Sequence, residues 1–420
     1  MRLVRLPARA GAKVRKMPSA AGVLRAPARA RGANAIALVA AVVFSAGCTS
    51  NQGGGAVKST GAAPSTVNLA MLDPGSYPRT PRPPLGTVGN EDAGRLAESR
   101  RLADNTIGPW EVEPALIESH STPTGAMSTT KSLTMVFSET LAGRAGAHHY
   151  LLGFVSGRTS AADDRILDNA VLRFASPEDA AAAAADLAAT DPVTPLPIPR
   201  HPETLADTAK TATGFEASAF TSHGTYLLYQ HAGAKDSAGA VADLIARTLD
   251  LQGALIDRFQ TTPVDQFATL PKDPAGLLAR TVPAANPTID EGAVFQPHGA
   301  LHFRGNPDEA EAVFTEAGVL RVSIDRTTVY ETVDTPGALR AVDGLIHLKD
   351  ISQLGYKPVG GISGLPGARC FDRGSGQSHD ESVRFMCVAS SDRYAIQATA
   401  AQEPDAHQAI AAQYLILAAA

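Results

Sequence analysis

The chain has 420 residues, with 37 Lys plus Arg against 42 Asp plus Glu and a formal net charge of −5. That mildly acidic balance argues against nucleic acid as a partner, which demands clustered positive charge, and against lying flat on anionic lipid. At about 100–200 residues per domain, the length accommodates two or more domains.

The first segment in chain order is an address. Residues 1–32 carry Arg2, Arg5, Arg9, Lys13, Arg15, Lys16, Arg25, Arg29 and Arg31 and no acid. Residues 36–44 follow as an apolar core, too short to span a bilayer, which takes about 20 residues. Basic, then apolar, then small is the pattern of a secretory signal. No twin-arginine pair precedes the apolar run, which favours the general secretion route, and Met17 is an alternative start. Ser45-Ala46-Gly47-Cys48 resembles the lipobox of bacterial lipoproteins, with Ser45 in place of the commoner Leu. That resemblance implies cleavage before Cys48, a diacylglycerol thioether and palmitate-type acylation on it, and anchorage to the extracytoplasmic face of the cell membrane. Removing residues 1–47 takes away nine basic and no acidic groups, so 28 basic face 42 acidic side chains and the net charge becomes −14. Residues 48–66, rich in Gly, Ser, Thr and Ala, read as a flexible tether.

Residues 67–72 read as a short strand closed by the turn Asp73-Pro74-Gly75. Residues 77–84 contain four prolines and must be extended, pinned along their own domain or offered as a PxxP-like ligand. A helix is expected from Asn90 or Glu91 to Asn105, and Trp110, the only tryptophan, as a core anchor. Residues 131–138 look β-like, 140–147 helical or looped, and 148–155 strand-like. Residues 170–174 form a strand leading through Ser176-Pro177 into a helix to about Ala189. Residues 328–333 lead through Thr335-Pro336 into a helix to about Val342. In each case a Ser or Thr N-cap precedes Pro at the first helical position. Later strands at 225–230 and 393–398 each reach a long helix, 237–258 and 404–417. The pair therefore reads as a degenerate duplication.

These elements predict an α+β fold of two domains, each an antiparallel sheet with helices packed on one face. The expected divisions are a signal over 1–47, the tether over 48–66, an N-terminal domain over 67–262, a linker over 263–289 and a C-terminal domain over 290–420. With Cys48 used for lipid, Cys370 and Cys387 are an even pair in an oxidising compartment, and a disulfide between adjacent strands is expected. Closing that loop stabilises by about 3 kcal/mol in the chain-entropy account.

Three stretches, the lipobox, Leu72-Asp73-Pro74-Gly75-Ser76-Tyr77-Pro78 with Pro81-Arg82-Pro83-Pro84-Leu85-Gly86, and Gly108-Pro109-Trp110-Glu111-Val112, resemble a family of actinobacterial lipoproteins. That family is known only as domains of unknown function, in an N-terminal and a C-terminal part. The resemblance implies the two-part division and the envelope location and brings no catalytic residues. The cysteine-bridged C-terminal part is also similar, more faintly, to extracellular sensor domains of mycobacterial Ser/Thr kinases.

The search for chemistry is mostly negative. No Gly-x-Ser-x-Gly elbow occurs, and Ser128-Thr129-Thr130-Lys131 matches S-x-x-K without its companion S-D-N and K-T-G motifs. His148 and His149, adjacent on a strand, would face opposite sides. His298 and His302 have helical spacing, but Pro297 and Gly299 argue against a helix there. HExxH and EF-hand patterns are absent, and Asp163-Asp164 reads as a solvated turn. The glycine-rich run 360–367 lacks the lysine of a phosphate loop; with 372–380 it is the best choice for a binding rim. No cofactor, metal or nucleic acid is expected. The leading functional expectation is a non-catalytic, membrane-anchored envelope lipoprotein that binds an envelope ligand or protein partner. An envelope hydrolase with a dispersed active site is the alternative, followed by a transporter-associated solute receptor with parallel-sheet lobes.

Overall fold

A computed structural model of the chain describes residues 66–189, 194–349, 351, 354–374 and 383–419. The signal, Cys48 and all of the tether but Thr66 lie outside the described residues, as do 375–382 of the loop after Asp372. Two antiparallel sheets carry the architecture. The first contains β1 (Leu116–Glu118), β2 (Gly125–Met127), β3 (Tyr150–Ser160), β4 (Arg165–Phe174), β5 (Thr194–Pro195), β6 (Leu205–Lys210), β7 (Phe215–His223) and β8 (Tyr226–Ala234). Its order is β1-β3-β4-β8-β7-β6-β5, with β2 also on β3. The second contains β9 (Ala293–Phe295), β10 (Val319–Ile324), β11 (Thr328–Thr332), β12 (Lys357–Pro358), β13 (Arg369–Asp372), β14 (Phe385–Ser391) and β15 (Tyr394–Ala400), in the order β12-β13-β14-β15-β11-β10-β9.

The helices used below are α1 (Glu91–Arg101), α2 (Pro109–Val112), α3 (Glu139–Ala147), α4 (Pro177–Ala188), α5 (Ala238–Ile256), α6 (Pro297–Leu301), α7 (Pro307–Ala317), α8 (Thr335–His347) and α9 (Glu403–Ala418). The expected α+β class with two antiparallel sheets holds. The layering is richer than helices on one face. On β15, Ile396 and Ala398 face a core shared with α9, while Ala395 faces the core shared with α8. On β7, Ala219 joins the α5 core and Phe220 the α4 core. A period-2 strand with apolar residues at successive positions demands cover on both sides.

The duplication is visible strand for strand. The path β2-β3-β4-β8-β7-β6-β5 repeats as β9-β10-β11-β15-β14-β13-β12. The irregularities repeat too. A bulge falls between Tyr150 and Leu152 on β3 and between Val319 and Arg321 on β10. The backbone N–H of Phe174 donates to Thr225 O, and that of Thr332 to Arg393 O. The hairpin residues Gly224 (φ 56°) and Asp392 (φ 48°) are both left-handed. One hydrophobic cluster, including Trp110, Phe154, Phe295 and Tyr330, runs through both halves.

Four local expectations are corrected. Residues 67–72 are not a strand but a 3-10 turn (Leu69–Met71), because the Asn68 side chain accepts from Ala70 N–H and competes with extended pairing. Residues 131–135 are likewise a 3-10 turn, set by reciprocal bonds between Thr129 and Ser132. The N-cap of α8 is Asp334, which accepts from Gly337 N–H, so Thr335 is already helical. Pro297 starts helix α6 instead of breaking it, as proline does at a first helical position. The prolines of 77–84 are extended and pinned: Arg82 N–H donates to Ala279 O and its guanidinium to Leu278 O.

Between the halves, half-buried Asp290 lies beside Arg100, whose guanidinium donates to the carbonyls of Ile289, Glu291 and Gly292. Burial raises its carboxyl to about 6, against the pull of Arg100. A carboxyl raised in the folded state binds its proton more tightly there than unfolded, so its stability contribution falls as pH climbs from about 4 to about 6. Asp290→Asn is expected to stabilise the chain by about 1–2 kcal/mol at pH 7 and by nothing below pH 4. Urea titrations at the two pH values measure this, and equal effects at both would refute it.

Candidate functional site

At the open edge of the first sheet, the end of α4, β5, the 196–204 connection, β6 and β7 enclose a groove of about 540 Å³. Pro195, Leu196, Ile198, Leu205 and Phe220 form apolar walls. The edge strand β5 contains Pro195, which has no N–H to offer a further strand, so the groove is protected from sheet extension. Leu205 is 43% exposed, a large apolar side chain held at the rim. The polar contributions are few. Thr204 is committed to Thr221 at 2.8 Å, and His201 to Asp250 at 2.9 Å. Asp207 also lines the groove, and partial burial raises its carboxyl above the ordinary value. Apolar walls with a small number of polar groups are the usual make-up of a small-molecule site.

A second recess, about 520 Å³, lies on the second sheet beside Arg304, Arg326, Gln397 and Asp405. Its cations are already engaged. Arg326 donates to the Tyr77 hydroxyl at 2.8 Å, to Thr399 O at 2.9 Å and to Asp405 at 3.0 Å. Arg304 donates to the Tyr330 hydroxyl at 2.7 Å and to Gln397 at 3.1 Å. A ligand there would have to displace these bonds, whereas the first groove asks only for the removal of water. The apolar groove is the better candidate.

The residues singled out by sequence go to different places. Cys370 and Cys387 are directly opposite on β13 and β14 and are joined by a disulfide. His148 ends α3 and His149 is left-handed (φ 57°), so neither belongs to the strand that starts at Tyr150; they bind Asp186 and Asp179 separately. His298 and His302 lie on and just after α6 with rings 5.6 Å apart. Each ring is fully committed. His298 reaches Glu111 at 2.9 Å and Asp104 O at 3.1 Å. Burial alone would lower His298, but Glu111 and Asp104 raise it. His302 reaches Ser156 at 2.9 Å and Ala103 O at 3.0 Å, and burial pushes it well below the ordinary imidazole value. Ser156–His302 has the spacing of a nucleophile and its base, yet both are buried and the second ring nitrogen meets a backbone carbonyl, not a carboxylate. It acts as a core hydrogen bond beneath Trp110, whose ring lies 5.2 Å from His302.

Ser128 and Lys131 share an exposed turn, with no hydrogen bond joining them among the described residues. Asp163 and Asp164 form the β3–β4 turn, Asp164 accepting from Ser160 at 2.6 Å. The glycine-rich run 360–367 is tied down, since Gly364 O accepts from Asn68 N–H and Leu365 is buried. Asp372 is held by Arg384 at 3.0 and 3.1 Å. One polar cluster escaped sequence reading: buried Asp168 accepts from Thr122 at 2.8 Å and meets His120 at 2.6 Å. Those partners are 46 and 48 residues apart and are joined only by the sheet.

Residues 85–272 match the N-terminal domain of unknown function DUF7373, and residues 277–420 match the DUF7373 C-terminal domain of unknown function. No curated protein matches. Among solved structures, the extracellular domain of PknH from Mycobacterium tuberculosis is similar at 14% identity, over 36% of this chain and 96% of that one, with a TM-score of 0.23. A likeness at that level carries no argument.

Proposed function

We propose that this chain, which belongs to the DUF7373 family through both its N-terminal and its C-terminal domain, is a non-catalytic envelope lipoprotein that binds an apolar-bodied ligand. Acyl groups on Cys48 hold it at the extracytoplasmic face of the membrane, and the tether lets the folded body stand away from the surface. The groove under the β5–β6 edge carries the reading. Its walls are hydrocarbon, and Asp207 offers one acceptor for a hydroxyl or cationic group on the ligand. The sealed Ser156–His302 pair gives no support to the hydrolase alternative. Antiparallel pairing throughout both sheets gives none to a solute receptor built on parallel lobes.

Two measurements test this. Solvent extraction and mass spectrometry of the full chain purified from its native envelope should release a non-covalent amphiphile. Leu205→Arg should reduce its amount at least fivefold while changing stability by no more than about 0.5 kcal/mol, because Leu205 is an exposed rim residue. Equal recovery from both proteins, or none from either, refutes the groove. Separately, Cys48→Ala should move the protein from the membrane to the soluble fraction, and unchanged membrane retention refutes the anchor.

A further inference from the structure

The Cys370–Cys387 disulfide lies under the first turns of α9, and a histidine comes down onto it. The two sulfurs and one ring nitrogen of His407 all lie within 4.8 Å of one another. The His407 Nε2 is buried and has no hydrogen-bond partner among the described residues. The Glu403 carboxylate, one helical turn earlier, is 3.8 Å from it.

The other repeat shows what this place needs for packing alone. Counting back along each last hairpin from Tyr226 and Tyr394, the cysteine pair Cys370 and Cys387 falls where the first sheet pairs Ala206 with Ala219. When the helices are aligned on Gln252 and Gln413, which bind matching backbone groups in the two repeats, His407 corresponds to Ala246 and Glu403 to Ala242. Four alanines in one half are thus two cysteines, a histidine and a glutamate in the other.

We propose that these four residues are a redox-gated site for a borderline-soft divalent cation, Zn²⁺ by preference, formed when the disulfide is reduced. An external dithiol supplies two electrons and two protons, leaving as its own disulfide, and the S–S bond becomes two thiols. Metal binding then expels the two thiol protons, since the ligands are thiolates. Two sulfurs, one imidazole nitrogen and one carboxylate oxygen make a tetrahedral zinc set, with sulfurs about 3.7 Å apart at Zn–S distances of about 2.3 Å. Both cysteines and Glu403 reach the metal by turning about their side chains, and the partly exposed His407 gives the metal an entry edge (side chain 23% exposed).

The experiment is a titration of the full chain with Co²⁺, after reduction by a phosphine and its removal under anaerobic conditions. One Co²⁺ per chain with a thiolate-to-cobalt charge-transfer band, seen in the reduced and not in the oxidised protein, is the expected result. His407→Ala should weaken binding at least tenfold, and the double variant Cys370→Ala with Cys387→Ala, which copies the alanines of the first repeat, should bind none. Absence of the band in the reduced protein, or wild-type affinity in either variant, overturns the proposal.

Discussion

Glu98→Ala is expected to lower the stability of the chain by about 3–5 kcal/mol, the largest single-residue effect in the first half. Glu98 sits on the inner face of α1 with no exposed surface. Its carboxylate accepts from Thr262 N–H at 2.7 Å and from the Thr262 hydroxyl at 2.9 Å, and it is also bonded to Arg101. Arg173, only 8% exposed on β4, stands 3.5 Å away with its guanidinium over the Phe267 ring. Truncating the glutamate leaves Arg173 as a buried charge with Thr262 O as its remaining bond, and it leaves an amide N–H unsatisfied. The contrast lies on the same helix. Glu91 pairs with Arg95 at 2.6 Å but is 54% exposed, and such an i,i+4 pair is worth about 0.3–0.5 kcal/mol. Urea unfolding of Glu98→Ala beside Glu91→Ala measures the difference. A loss below 1 kcal/mol at Glu98 would show that Arg173 rehydrates without cost.

What the sequence made legible was local. Ser176 before Pro177 and Ser237 before α5 cap helices through bonds spanning three residues, so they could be read directly. The cysteine pair could also be read, because the strands bearing it are neighbours. The 3-10 turn at 131–135 was hidden because Thr and Val mimic a strand, while Thr129 and Ser132 bond each other before any strand can pair. Helix α6 was hidden because Pro297 serves as a start, and a proline read without its flanking structure looks like a break. The groove had no signal at all. Phe220 of β7 and Pro195 of β5 come together only through the sheet order, and sheet order is set by which hairpins pack, not by any run of residues. The duplication lay between these cases: the Ser176 cap was readable and its counterpart was misplaced by one residue, Thr335 for Asp334, while the residues that repeat most faithfully are polar and far apart.

Those residues make the second large prediction. Gln252 on α5 accepts from Ile107 N–H at 2.8 Å and from Asn169 at 2.8 Å, and donates to Asn105 O at 2.8 Å. Gln413 on α9 accepts from Val282 N–H at 2.8 Å and from Thr327 at 2.6 Å, and donates to Arg280 O at 2.6 Å. Each carboxamide therefore reads the N–H of one residue and the carbonyl two residues before it. Between these lie Thr106 and Thr281, whose hydroxyls both donate four residues back, to Leu102 O and Leu277 O. Asn169 on β4 and Thr327, the residue just before β11, each lie four residues before the strand partner of Tyr226 and Tyr394 respectively. The glutamine thus ties the last helix of each repeat to the turn that opens it, so the repeat is closed by a polar clamp inside an apolar layer. Removing it leaves a buried N–H and a buried carbonyl unpaired, at about 1–3 kcal/mol for each group, with part recovered by relaxation. Gln252→Ala and Gln413→Ala are each expected to cost about 2–4 kcal/mol, and their effects to add, since the two clamps share no partner. Substitution by Glu should cost at least as much, because a carboxylate cannot donate to Asn105 O or Arg280 O. Denaturant midpoints of the two single variants and the double variant decide the matter. A large loss in one repeat with none in the other would mean that the shared geometry is not a shared load.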